Sequence, residues 1–288
     1  MSKSTLAVAR PNILITGCSS GIGFCAAKRL HERGYNVIAT TRKAADAPPL
    51  QQLGITTTEL DLTDSTSIQN AVTFTLNHFN GQLDALFNNA AYGQPGAIED
   101  LSRHVLQQQF ETNVFGTQEL TNLIIAHMRK QGHGRIIYNS SVLGLISMAY
   151  RGAYNASKYA IEGLADTLRQ ELYDTDIHIS LIEPGPIVSQ FRANAFAQYQ
   201  QNIDKEKSAH TATYNAMEQR LTKQGPAAPF TLPPEAVVAK LIHALESKRP
   251  KIRYYVTFPT YLFATLKRLL PHRCLDWVLI KISAAENK

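Results

Sequence analysis

Short runs of apolar and β-branched residues, at 12–16, 37–40, 55–60, 83–87, 135–139 and 177–182, alternate along this chain with helix-like patterns near 21–33, 65–79, 102–130 and 152–174. Runs that are apolar throughout, rather than at every second residue, need cover on both faces. The alternation therefore predicts an α/β fold, a doubly wound parallel sheet with helices on both faces. The rhythm stops after Pro184. Residues 186–234 are polar, rich in Gln and Ala over 193–202 and in proline at Pro226, Pro229, Pro233 and Pro234, before a helix resumes over 235–246. An insertion of that length in a compact domain is read as a lid.

The 288 residues carry 29 Lys+Arg against 23 Asp+Glu, a net charge of +6, and 44% are hydrophobic, enough for one large α/β domain. The excess is local. Residues 248–281 hold Lys248, Arg249, Lys251, Arg253, Lys267, Arg268, Arg273 and Lys281 against one acid, Asp276, so the remainder is close to neutral. A near-neutral body argues against a nucleic-acid partner. The longest uncharged stretch, 11–27, is broken by Pro11 and three glycines and is too short to span a bilayer. Residues 1–10 lack the apolar run of a signal peptide. The three cysteines, Cys18, Cys25 and Cys274, show no metal-ligand spacing, and the nine histidines are scattered. No metal is expected, and the setting is a reducing cytoplasm.

The first apolar run leads into Thr16-Gly17-Cys18-Ser19-Ser20-Gly21-Ile22-Gly23 and then a helix. Glycines let the chain turn sharply and bring backbone N–H groups close to an anion at a helix N-terminus, which makes Gly17, Ser19, Ser20, Gly21, Ile22 and Gly23 candidate phosphate ligands in a Rossmann-type unit. Alone, the turn is equally an ordinary strand-to-helix connection. The second run ends Ala39-Thr40-Thr41-Arg42-Lys43 without a carboxylate. An acid there would bond a ribose 2′-OH. Arg42, with Lys43 in support, instead suits a 2′-phosphate and hence NADP(H), the alternative being solvated basic residues. Cys18 reads as a small filler.

In Tyr154-Asn155-Ala156-Ser157-Lys158 the phenol and the ammonium share a helix face. A neighbouring cation lowers a phenol from its usual pKa of about 10. Thirteen residues upstream, Ser141 ends an apolar run, at the sheet edge where ligands of such folds bind. Ser140 is read as a structural hydroxyl.

Taken with Asn88-Asn89-Ala90, Asn113 and Pro184-Gly185, these motifs resemble the short-chain dehydrogenase/reductase family in its single-domain branch, over residues 12–190. The chain is most similar to the bacterial aldehyde reductases, and shares Ala-Thr-x-Arg42 with 17β-hydroxysteroid and retinol dehydrogenases. Pro250-Lys-x-Arg-Tyr and Leu266-Lys-Arg-Leu-Leu-Pro271 extend the likeness into the tail. The resemblance implies that Tyr154 gives a proton to a carbonyl oxygen as hydride arrives from the nicotinamide, while Ser141 bonds that oxygen. It implies that Lys158 lowers the Tyr154 pKa and holds the nicotinamide ribose, and that Asn113 positions a relay water. Asp61 and Leu62 would contact adenine, Asn88 and Ala90 would flank the adenosine ribose, and Ile187 and Ser189, after Pro184 and Gly185, would anchor the carboxamide. Two departures stand out: Ala91 where glycine is usual, and Ser189 where threonine is common.

Around the carbonyl, Val142, Leu143, Met148, Tyr150, Ile187 and Phe191 are expected beside Ser141. None is ionised at neutral pH, which favours a lipophilic aldehyde, ketone or alcohol as substrate. The expected organisation is a dinucleotide-binding and catalytic domain over 1–257, with residues 186–234 as substrate lid, and an amphipathic basic tail over 258–288. In the tail Leu262, Leu266, Leu269 and Leu270, then Leu275, Val278, Leu279 and Ile282, form a stripe with cations alongside. That stripe suits either packing on the domain or a partner subunit, or peripheral contact with the inner face of a membrane. A homo-oligomer is expected. Two other functions fit less well. A non-catalytic NADP(H) sensor needs no Ser141, Tyr154 and Lys158, and a sugar-nucleotide epimerase has a longer C-terminal region.

Overall fold

The computed structural model describes residues 10–225 and 228–286. The expectation for the N-terminus at residues 1–9, Pro226 of the proline-rich run, and the last two tail residues lie outside the described residues.

Parallel strands form one sheet in the order β3-β2-β1-β4-β5-β6-β7, with β1 Asn12–Ile15, β2 Asn36–Thr41, β3 Thr56–Glu59, β4 Ala85–Asn88, β5 His133–Asn139, β6 Asp176–Glu183 and β7 Arg253–Tyr255. The helices are α1 Gly21–Glu32, α2 Pro48–Gln51, α3 Ser65–His78, α4 Arg103–Phe110, α5 Thr117–Gln131, α6 Gly152–Glu171, α7 Phe191–Asn202, α8 Thr211–Thr222, α9 Glu235–Glu246, α10 Phe258–Leu269 and α11 His272–Glu286. Strand side chains alternate between two cores. Leu14, Ile38, Leu86 and Ile136 pack with α3, α5 and α6 on one face, while Ile13, Val37, Phe87 and Ile137 pack with α1 and α9 on the other. This is the doubly wound arrangement expected from the apolar runs.

β1 has β2 on one side and β4 on the other, so the chain changes direction across the sheet at β1. The carboxyl ends of these strands border the crevice where folds of this plan bind ligands.

Three local departures from the sequence reading have physical causes. The helix expected over 102–130 is α4 and α5 joined by a π-helical turn, Glu111–Gly116. Gly116 lets the end of that turn pack against the Leu62 backbone, since a Cβ there would lie 1.7 Å from the Leu62 carbonyl oxygen. β7, unforeseen, is three residues long and carries Arg253, whose guanidinium meets Glu183 at 3.0 Å, Glu162 at 3.0 Å and Asp166 at 2.7 Å. The polar insertion holds α7 and α8, closed at its base by a bridge between Ile187 and Leu232. Its small core is built from Tyr199, Tyr214, Met217 and Leu221 against Ala97.

The tail packs inward. Phe263, Leu266, Leu275, Val278, Leu279 and Ile282 lie against Val142, Leu143, Ile146, Met148 and Tyr154. Of the expected stripe, Leu262 and Leu269 remain exposed. Among the described residues no helix is long and apolar enough to cross a membrane.

Candidate active site

The glycine turn sits at the carboxyl end of β1. Gly17 and Gly21 adopt φ of +70° and +57°, the left-handed region that glycine enters without strain. A Cβ on Gly17 would lie 2.8 Å from Ala90 Cα, and one on Gly23 would lie 2.1 Å from the Gly17 carbonyl oxygen. No side chain caps α1 and its first turn carries no acid, so its N-terminal N–H groups and partial positive charge are left for an anion. Ser19 is exposed here, and Ser20 and Ile22 are partly so. Arg42 and Lys43 are exposed at the end of β2. Cys18 is buried and bonds the Ile15 carbonyl, and burial pushes its thiol far above the usual range, as suits an inert filler.

The turn is tied to β4 by residues the sequence reading gave no role. Thr16 Oγ1 accepts from the backbone N–H of both Asn89 and Ala90 at 2.9 Å, and the Asn89 amide donates to the carbonyls of Thr16 and Gly17. Asn88 is buried, its amide donating to Thr121 at 2.9 Å, so its side chain is committed inside the fold. Asp61 accepts from the backbone and hydroxyl of Thr63, and Leu62 is buried in the core.

The proposed proton-transfer groups converge at the carboxyl end of β5. Ser141 starts a short turn in which its hydroxyl accepts from Leu143 N–H at 3.1 Å. α6 brings Tyr154 next to it. Burial pushes the Tyr154 phenol up to about 12, and a hydrogen bond with Ser141 pulls the other way. Here burial outweighs the lowering that Lys158 was expected to bring. The ammonium donates to the Asn139 carbonyl at 2.7 Å and lies 5.6 Å from the centre of the Tyr154 ring, so burial dominates at the phenol. Lys158 itself is buried, and desolvation lowers it to about 8 against the opposing pull of Glu162. Glu183, at the end of β6, is pushed upward by burial and by Glu162, against the pull of Arg253.

Asn113 lies on the π turn, 2% exposed. Its Oδ1 accepts from Tyr92 N–H, while its Nδ2 donates to the Tyr92 carbonyl at 2.9 Å and the Ser157 hydroxyl at 3.0 Å. The side chain thus clasps the loop after β4 to α6, and its amide is spent on protein groups. Ser140 is buried with no partner for its hydroxyl.

Pro184 accepts from Val142 N–H at 2.8 Å, and Gly185 lies so close to Thr257 that a Cβ would sit 2.1 Å from its hydroxyl. Ser189 reaches the glycine turn, its Cβ standing 3.1 Å from where a side chain on Gly21 would begin, and Ile187 packs near α1 and α9. Phe191 stands edge-on to Tyr154, with Gly93 beside both. Val142, Leu143 and Met148 pack beneath the tail helices with Tyr154. Tyr150 is a correction. Its φ of +62° turns it to the insertion, where it packs on Tyr214 and bonds His210 at 3.3 Å, rather than to the carbonyl position. Among the described residues no group of three potential ligands could hold a metal.

The pattern of the short chain dehydrogenase family matches residues 11–200. The chain belongs to the short-chain dehydrogenase family. This family member is 41% identical over 272 residues to the uncharacterized oxidoreductase YbbO of Escherichia coli strain K12, spanning 94% of this chain and 95% of the relative. It is 31% identical over 277 residues to an NADPH-dependent 3-dehydrocapnine reductase of Ornithobacterium rhinotracheale, spanning 93% and 95%. A short-chain dehydrogenase from Streptomyces avermitilis superposes with a TM-score of 0.74 at 26% identity, covering 94% of each chain. The dehydrogenase thus has the fold of a hydride-transfer oxidoreductase over nearly its whole length.

Proposed function

We propose that this dehydrogenase uses NADP(H) to reduce lipophilic aldehydes or ketones, and runs in reverse on the alcohols, with Tyr154 as general acid and base. The observation that carries the reading is the convergence of Ser141, which opens the turn after β5, with Tyr154 and Lys158 of α6, where the Lys158 ammonium donates to the Asn139 carbonyl at 2.7 Å and lies 5.6 Å from the centre of the Tyr154 ring, at the sheet edge that also holds the uncapped end of α1. The dinucleotide fits the residues present. Gly17 and Gly21 keep the turn free of side chains, and α1 offers its N-terminus to the pyrophosphate. Arg42 and Lys43 are exposed at the end of β2, where a 2′-phosphate would lie, and join no ion pair among the described residues; similarity to an NADPH-dependent reductase supports the same choice. When bound, the cofactor supplies the hydride.

The chain does the rest. Ser141 holds the carbonyl oxygen, and Tyr154, whose raised pKa keeps it protonated through the neutral range, gives it the proton. Lys158 holds the ribose, and Asn113 fixes the helix that carries both Tyr154 and Lys158. Ile187 and Ser189 anchor the carboxamide. Val142, Leu143, Met148 and Phe191 supply an apolar surround that excludes ionised substrates. Residues 186–234 serve as the lid. A cytoplasmic homo-oligomer completes the reading.

The test is NADPH consumption on a panel of short and long aldehydes, retinal and a ketosteroid. Tyr154→Phe is expected to lower kcat by about 10²-fold or more. Equal turnover by both proteins overturns the mechanism, and cofactor binding without turnover on any carbonyl replaces it with a sensor.

A further inference from the structure

We infer that the outward face of the tail is a docking surface for anionic lipid. The inner faces of α10 and α11 are occupied by the domain. On the opposite side of α11, Arg273, Trp277, Ile280, Lys281 and Ala284 follow one another at spacings of three, four and one, which keeps them on one helical face. Trp277 is 63% exposed and Ile280 66%, and at the end of α10 Leu269 is 73% exposed beside Arg268. The Lys281 ammonium lies 5.9 Å from the centre of the Trp277 ring, so cation and aromatic are presented together.

Large apolar side chains protruding among cations match the chemistry of a bilayer interface. Tryptophan and isoleucine enter the boundary between headgroups and acyl chains, while arginine and lysine meet the phosphates. A second copy of the chain is a poorer occupant. A two-fold contact through this face gathers Arg268, Arg273 and Lys281 of both copies into one interface, with Asp276 the one acid within residues 248–281. Docking also places the apolar wall behind Tyr154 within about one helix diameter, ~10 Å, of the lipid. That consequence rests on the carbonyl-reductase reading, whereas docking itself does not.

Trp277 is the sole tryptophan, so its fluorescence reports the surface directly. Full-length protein is titrated with vesicles of phosphatidylcholine alone or mixed with phosphatidylglycerol. The expected result is a blue shift, with quenching by brominated acyl chains, on the mixed vesicles only. Arg273→Gln with Lys281→Gln should weaken binding about 25-fold, at about fivefold per cation, and leave NADPH-dependent reduction of a short soluble aldehyde unchanged. Emission that ignores both vesicles, or responds equally to both, overturns the inference. A shift that follows protein concentration without lipid assigns the face to a second copy and overturns it too. Docking kept with no carbonyl turnover would sink the carbonyl reading alone.

Discussion

The ring of Phe191 stands edge-on to that of Tyr154, the two centres 5.2 Å apart, and the space it occupies exists because residue 93 is glycine. A Cβ on Gly93 would lie 2.8 Å from Phe191 Cζ and 3.5 Å from Tyr154 Cδ2. The closer neighbour is the tip of a side chain on α7 that is 36% exposed, so in Gly93→Ala the ring gives way rather than the backbone. Both Gly93→Ala and Phe191→Ala are expected to lower kcat/KM for long aldehydes about tenfold, the value of roughly one or two buried methylenes. Short aldehydes should be little affected. A series of kcat/KM values against chain length checks this, and a loss independent of length would show that Phe191 does not line the path of the chain.

Cofactor choice is expected to follow Arg42. In Arg42→Asp the charge-assisted bonds to a 2′-phosphate, worth about 1.5–3 kcal/mol, are replaced by repulsion. The ratio of kcat/KM for NADPH over NADH should fall by at least about tenfold. An unchanged ratio refutes the assignment.

Lys158 sets the alkaline behaviour. With the ammonium lowered to about 8 and the Tyr154 phenol raised to about 12, the group that loses its proton first on raising pH is the lysine. For reduction, kcat/KM should therefore decline above about pH 8 while Tyr154 is still a competent donor, and Lys158→Met should flatten that limb onto a low plateau. The linkage has a definite sign. The unfolded chain keeps the lysine proton up to its ordinary 10.5, the folded chain has released it from about 8, and stability attributable to this group rises with pH between those values. Chemical denaturation at pH 8 and pH 10, compared between wild type and Lys158→Met, measures it.

Glu286, near the end of α11, joins Arg151, the residue before α6, and lies 3.6 Å from Arg220 on α8. All three side chains are about four-fifths buried. Glu286→Gln leaves two neighbouring guanidinium groups without their shared counter-charge, at a cost of about 1–3 kcal/mol. A lower Tm is expected, together with faster proteolysis within residues 186–234. Unaltered cleavage there would show that Glu286 does not hold the insertion.

The central strands were legible because a buried strand is apolar at every position, a pattern that survives without knowledge of its neighbours. β7 was not, since Arg253 holds its place through three carboxylates brought from α6 and β6. The spacing of Tyr154 and Lys158 foretold a shared helix face but not the electrostatics. Those depend on Asn139 capturing the ammonium and on burial of the phenol, both products of tertiary packing. Tyr150 was misplaced for a related reason, as a positive φ in a non-glycine residue leaves no mark in composition. Asn89 was visible within its motif, yet its clasp on Thr16 and Gly17 requires β1 and β4 to be neighbours.

The wall behind Tyr154 comes from α10 and α11, and Glu286, the last described residue, ties α11 to Arg151. The sheet through β6, with Ser141, Tyr154 and Lys158, is synthesised well before these helices. On the ribosome this order matters: a nascent chain can assemble its central sheet while the apolar flank of Tyr154 is still bare, and the flank is covered only once α10 and α11 have emerged. Premature termination ahead of residue 258 would thus yield a chain with every proton-transfer group present and a sticky, chaperone-attracting surface beside them.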